Sequence, residues 1–212
     1  GKSGDPSPVT ALGVYMGMKA AAKHQFGSDS LAGKKIAVQG IGHVGAYLVE
    51  HLVAEGARVT ITDINEAALQ QLSAKHGVSV VAADNIYDVD MDIYAPCALG
   101  ATVNDATLAR LNCSIIAGAA NNQLKEEAKH GQILMDRGII YAPDFALNAG
   151  GVINCFSEVE GLSLEWAKQK AQEIYTTIDH ILIRSQKEGV PSYQVANLMA
   201  EERIRTKGSL NI

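Results

Sequence analysis

The chain has 212 residues, 47% of them hydrophobic and 19% charged, with a formal net charge of -5. This is the composition of a globular protein with one sizeable core. The acidic balance gives no general attraction for nucleic acid or an anionic membrane surface, and no apolar run approaches the ~20 residues that span a bilayer.

In chain order, Pro8 to about Gln25 reads as an opening helix, with Pro in its first turn, Asp5 or Ser7 near its cap, and Ala, Met and Gly suited to close packing. Ile36-Ala37-Val38 is a short buried strand, followed by helix signals from Gly42 to about Glu55 that stop at Gly56. Arg58–Thr62 is the second strand, and Asn65 caps a helix from Glu66 to about His76, ended by Gly77. Further strands are expected at Val78–Val81, Asp92–Pro96, Ser114–Ala117 and Gly138–Ala142. A helix opens at Asn148-Ala149-Gly150-Gly151 and runs to about Glu160. Ser163 then caps one long helix to about Lys187, whose stripe Ala167, Ala171, Ile174, Ile178, Ile181 and Leu182 packs onto the sheet. Gly189 and Pro191 precede a last helix to about Arg205, and no pattern is visible from Lys207 to Ile212. Six strands with interleaved helices predict an α/β fold: a Rossmann-like, doubly wound, mostly parallel sheet with C-terminal helices.

The strongest local motif is Gly40-Ile41-Gly42-His43-Val44-Gly45, a GxGxxG between a strand and a helix. Gly40 permits the tight turn, Gly42 lets the backbone approach a pyrophosphate, and Gly45 lets helix and strand pack closely. The helix start offers unpaired N–H groups and a partial positive charge to phosphates. Asp63 ends the second strand, 18 residues after Gly45. A carboxylate there accepts hydrogen bonds from the adenosine ribose and repels a 2′-phosphate, and Ile64 and Asn65 bring no cation to hold one, so NAD is favoured over NADP. The plainer reading of Asp63 is a residue that merely begins the turn before the next helix.

Cys97, Cys113 and Cys155 are scattered and form no CxxC pair, and the polar start Gly1-Lys2-Ser3-Gly4-Asp5-Pro6 is unlike a signal peptide. A reduced, cytoplasmic protein is expected. The six histidines stand at no zinc-binding spacing, so they are expected at the surface or at helix ends, and no metal site is expected.

Several segments in combination make the chain similar to the cofactor-binding domain of the glutamate/leucine/phenylalanine/valine dehydrogenases, its leucine dehydrogenase branch in particular. They are Ser3–Thr10, the GxGxxG with Asp63, Ala95-Pro96-Cys97-Ala98-Leu99-Gly100, Ala117–Leu124, and Tyr141-Ala142-Pro143-Asp144-Phe145 leading into Asn148–Asn154. The resemblance covers nearly the whole chain. It implies reversible oxidative deamination of a branched-chain or aliphatic L-amino acid to its 2-oxo acid, with NAD reduced and ammonia released. It further implies Thr10 beside the nicotinamide amide, Ala95, Cys97 and Ala98 along the adenosine, Asn121 and Asn122 near the nicotinamide ribose, and Asn148 orienting substrate or nicotinamide. Without it, Thr10 and Asn148 read as helix-entry residues and Ala95–Ala98 as a strand end. Val152 and Cys155, three apart on one helix face, would look into the substrate side-chain pocket, where Cys155 replaces the family's small aliphatic residue and keeps a small, soft surface.

The family's catalytic lysine follows a Gly-rich run in another domain, and a catalytic aspartate lies there too. Lys2 and Asp5 match neither motif, so no catalytic residue is assigned. Residues 1–212 are expected to form a single NAD-binding domain that binds cofactor without dehydrogenase activity. The whole enzyme is expected to be a homo-oligomer, and this chain alone a monomer or weak dimer. Two other readings stay open: a non-catalytic, NAD-responsive binding module, and an S-adenosylmethionine methyltransferase, against which Gly45 and Asn148–Gly151 argue.

Overall fold

A computed structural model describes residues 4–208. Six strands, β1 (Lys35–Gln39), β2 (Arg58–Thr62), β3 (Ser79–Val80), β4 (Ile93–Pro96), β5 (Ile115–Ile116) and β6 (Ile140–Tyr141), form one sheet in the order β3-β2-β1-β4-β5-β6. Every pairing is parallel, with Val38 opposite Ile61 on one side and Ala95 on the other. The sheet is therefore wholly parallel rather than mostly so, and the fold is Rossmann-like α/β.

A parallel sheet needs cover on both faces, and the strand side chains alternate accordingly. Ile36, Val38, Ile93, Ala95 and Ile115 join a core with α1 (Ser7–Phe26), α2 (His43–Ala54), α3 (Glu66–His76) and α9 (Ile174–Glu188). Ala37, Tyr94, Ile116 and Tyr141 join a second core with the 3-10 turn Ala83–Asp88, α4 (Asp105–Leu108) and α5 (Glu127–Asp136). The remaining helices are α6 (Asp144–Leu147), α7 (Gly150–Val159), α8 (Leu164–Gln172) and α10 (Ser192–Gly208). Among the described residues, no helix is long and apolar enough to cross a membrane.

Local signals placed many of the ends. Asp5 accepts the N–H of Ser7 at the start of α1, Asn65 accepts that of Ala68, and Ser163 that of Trp166. Helix α1 is buried around most of its circumference because it has little side chain: Cβ atoms on Gly13 and Gly17 would come within 2.5 and 2.1 Å of Ile174 and Leu147. The strands away from the sheet centre are shorter than the apolar runs suggested, with β3, β5 and β6 only two residues each.

The long helix expected from Ser163 to Lys187 is broken at Glu173. Its apolar stripe serves two partners. Ala167 and Ala171 pack with Val9, Leu12 and Ile153, whereas Ile174, Ile178 and Ile181 enter the main core. A straight helix would keep one stripe against one partner. Helices α4, α5 and α6 and the 3-10 turn were not anticipated. Two have only four residues, and α5 buries only His130, Gly131 and Leu134. Residues Gly1–Ser3 and the end of the chain from 209 onward, which the sequence left without pattern, lie outside the described residues.

Candidate functional site

Strand order reverses between β1 and β4, and the loops leaving their C-terminal ends frame a crevice, the usual place for a ligand in an open parallel sheet. Gly40 leaves β1 with φ +97°, in the left-handed region, and a Cβ there would meet Ala98 at 2.5 Å. Gly45 lies under the same turn. A Cβ on it would stand 2.1 Å from the Gly40 carbonyl oxygen. Gly42 is the opposite case: a Cβ would meet no atom within 4 Å, and the residue is exposed. It precedes α2, whose first turn has neither a side-chain cap nor an acidic residue. Two glycines are thus closed off by protein, while the third and the uncapped N–H groups beyond it face open space. The cradle fits a phosphate-bearing group.

Asp63 is half-buried at the end of β2. Its Oδ2 accepts the N–H of Ile41 at 2.7 Å and its Oδ1 that of Asn65 at 2.9 Å. It therefore does begin the next turn, as the plainer reading held, and it also ties β2 to the Gly-rich loop. Each carboxylate oxygen has further lone pairs for a hydroxyl. His43 is exposed, its Nδ1 3.7 Å from Asp5 Oδ2, which brings the entry of α1 beside the start of α2. Hydrogen bonds from Ser7, with a lesser attraction from His43, hold the Asp5 carboxyl below its ordinary pKa. Val44 is half-buried against the main core.

On the β4 side, Ala95 lies wholly buried inside the strand, and Cys97 and Ala98 form the rim. Cys97 donates its N–H to Gln39 at 2.7 Å, and burial pushes its thiol up to about 12. Beyond β5, Asn121 and Asn122 are exposed, the latter in the left-handed region at φ +52°. Asn148 donates from Nδ2 to Asn121 Oδ1 at 2.6 Å and to the Ala119 carbonyl at 3.2 Å. Thr10 is buried, its hydroxyl donating to the Pro6 carbonyl at 3.0 Å. A Cβ on Gly150 would lie 2.4 Å from the Val9 carbonyl oxygen, so the first turn of α7 rests directly on that of α1.

Val152 and Cys155 do share a face of α7, and both are exposed, beside exposed Phe156 and Val159. The opposite face carries buried Asn154 and Ser157. This leaves an exposed apolar surface on α7.

Sequence reasoning gave no role to Gln123, wholly buried with its amide on the Gly118 and Ala120 carbonyls, or to the hydrogen-bonded chain Tyr94–Gln39–Tyr87 under β1 and β4. Their partners are distant in sequence and leave no local pattern. His130, expected at the surface or a helix end, is instead the fourth residue of α5 and wholly buried. It gathers with Asp105 and Glu126, all three within 4.8 Å. Its Nδ1 accepts the Glu126 N–H at 3.0 Å, which puts the ring proton on Nε2, 3.5 Å from Asp105. Lys129 holds the same Asp105 at 2.6 Å. That arrangement braces α4 against α5 and presents no imidazole lone pair to an ion.

The sequence pattern of the Glutamate/Leucine/Phenylalanine/Valine dehydrogenases matches residues 1–208. Leucine dehydrogenase of Bacillus cereus is 54% identical over 204 residues, covering 96% of this chain and 56% of that protein. Valine dehydrogenase of Streptomyces albus is 43% identical over 207 residues, covering 96% of this chain and 57% of its own length. The crystal structure of L-tryptophan dehydrogenase from Nostoc punctiforme superposes with a TM-score of 0.93 at 41% identity, over 97% of this chain and 63% of that one. The chain therefore spans a little over half the length of the curated relatives it matches.

Proposed function

The chain belongs to the glutamate/leucine/phenylalanine/valine dehydrogenase family, and from that premise we propose that residues 1–212 are the NAD(H)-binding domain of an amino acid dehydrogenase. The substrate is a branched-chain or aliphatic L-amino acid, deaminated reversibly to its 2-oxo acid. The observation that carries the reading is the contrast among the three glycines: Gly40 and Gly45 pressed against backbone, Gly42 open at an uncapped helix start.

In this reading the N–H groups opening α2, at Gly42, His43 and Val44, receive the pyrophosphate. Asp63 accepts from the adenosine ribose and repels a 2′-phosphate, favouring NAD over NADP. Cys97 and Ala98 line the adenosine side, with Ala95 behind them. Asn121, Asn122 and Asn148 orient the nicotinamide ribose, and Thr10 closes the crevice behind it. Val152 and Cys155 form the part of the side-chain pocket that this chain supplies, and their apolar face excludes water from an aliphatic substituent. NAD(H), when bound, supplies the hydride acceptor or donor.

No residue here is assigned the proton transfers that deamination needs, so these 212 residues alone bind cofactor without turnover. Titration with NADH and, in parallel, NADPH, followed by nicotinamide fluorescence, tests the reading. Saturable NADH binding with much weaker NADPH binding is expected. A folded chain that binds neither overturns it, and turnover of leucine with NAD by this chain overturns the stated inactivity.

A further inference from the structure

We propose that Asp144 is a positioning residue for the nicotinamide half of the cofactor, acting through Gln123 on the Asn121–Asn122 turn; the inference rests on the NAD(H)-binding reading above. Asp144 opens α6, and its Oδ2 accepts the backbone N–H of Gln123 at 2.9 Å across 21 residues of chain. Gln123 is wholly buried, and its side-chain amide donates to the carbonyls of Gly118 at 2.8 Å and Ala120 at 2.9 Å. One residue thus folds the exit of β5 back on itself, and Asp144 anchors that residue.

One turn further along, Asn148 donates its backbone N–H to the Asp144 carbonyl at 2.9 Å and its side-chain amide to Asn121 Oδ1 at 2.6 Å. Asp144 and Asn148 therefore grip the same loop on either side of Asn122. Between the two grips, Asn122 sits at φ +52°, in the left-handed region that asparagine tolerates better than most residues with a side chain, so its own identity and the two grips together set the turn. Its carbonyl accepts the Ala101 N–H at 2.7 Å. With Oδ1 engaged by Asn148, Asn121 keeps its side-chain NH2 as the donor available to a ligand.

Loss of the Asp144 carboxylate leaves a buried N–H on Gln123 that only movement of the loop can satisfy. The movement reaches Asn121 and Asn122 first. The adenosine side is framed separately, by Asp63 bonded to Ile41 and by Gly40 against Ala98. The two halves of the crevice should therefore respond differently.

The test compares NADH, followed by fluorescence, with ADP, which lacks the nicotinamide half, followed by calorimetry. For Asp144→Ala the NADH dissociation constant is expected to rise about tenfold, the weight of one oriented hydrogen bond, with ADP affinity unchanged within about twofold. Asp144→Asn, which still offers an oxygen to the Gln123 N–H, should restore NADH affinity to within about threefold of the parent chain. Parallel weakening of both ligands, or unchanged NADH affinity in a folded Asp144→Ala chain, overturns the role. Should Asp144→Ala not fold, amide exchange on the parent chain decides: residues 118–125 must be protected more by saturating NADH than by ADP, and equal protection overturns the role. A parent chain that binds neither ligand overturns the NAD(H) reading and this role together, whereas a parent that binds both, with an unsplit variant, overturns this role alone.

Discussion

A Cβ added to Gly45 would stand 2.1 Å from the carbonyl oxygen of Gly40, so helix α2 lies directly on the turn that leads into it. Gly45→Ala must push backbone against backbone, and a destabilisation of about 1–3 kcal/mol is expected in urea unfolding, with loss of NADH binding. Gly42→Ala is the control. Its backbone is extended (φ -61°, ψ -165°) and its surroundings are open, so stability should change by less than ~1 kcal/mol. On the proposed reading the methyl group then takes space the pyrophosphate would occupy, and NADH affinity should fall at least tenfold. Equal effects of the two substitutions on stability would contradict the geometry.

Asp63 accepts the N–H groups of Ile41 and Asn65, and on the proposed NAD(H)-binding reading it also selects the cofactor; substitution should separate the two. Asp63→Ser leaves one shorter hydroxyl oxygen where two carboxylate oxygens accepted the N–H groups of Ile41 and Asn65, costing about 1–2 kcal/mol of stability. Asp63→Asn keeps oxygen on one side and removes the charge. For both, the preference for NADH over NADPH should narrow, because the repulsion of a 2′-phosphate is gone. Competitive titration with the two cofactors gives the ratio, and an unchanged ratio would remove Asp63 from cofactor selection.

Three cysteines should react in a definite order. Burial pushes the Cys97 and Cys113 thiols up to about 12 and 11, whereas Cys155 is exposed on α7. At pH 8 an aromatic disulfide reagent should modify Cys155 rapidly and the other two only on unfolding. Peptide mass spectrometry identifies the site, and rapid labelling of Cys97 would mean that the rim of β4 opens.

Glu55 links α1, α2 and the loop before β1: its carboxylate accepts from Tyr15, Lys19 and the Leu31 N–H. Burial raises its pKa, but the hydrogen bonds from Lys19, Tyr15 and Leu31 outweigh it, and the net shift is downward from 4.5. A depressed folded-state pKa means that the unfolded chain binds more protons, so the contribution is full above the unfolded value and is lost as pH falls through the folded one. Urea stability of the parent chain should therefore decline from about pH 4.5 downward, with a shallower decline in Glu55→Gln. Parallel profiles would place the acid sensitivity elsewhere.

Much of the fold was legible because its signals are local. The apolar runs located all six strands, Asn65 and Ser163 cap the helices that follow them, and the glycines of the first βα turn announced the crevice. The short helices α4 and α6 were illegible, since four residues carry no period. Capping of α4 by Asn104 and Thr107 was readable only as scattered polar residues. The break at Glu173 was hidden because its backbone stays helical (φ -66°, ψ -11°) while the partner of the stripe changes.

For the site, the sequence alone determined what a residue type must do in place: glycine where backbone meets backbone at Gly40 and Gly45, a carboxylate ending β2, small apolar residues three apart on α7. Tertiary structure decided which groups answer one another. Asn148 meets Asn121 across 27 residues, Asp144 meets Gln123 across 21, and Asp63 meets Ile41 across 22. Steric demands at a turn are set by neighbours in the chain and are written there. Hydrogen bonds between distant loops depend on the strand order that brings β1, β4, β5 and β6 side by side, and no periodicity records them.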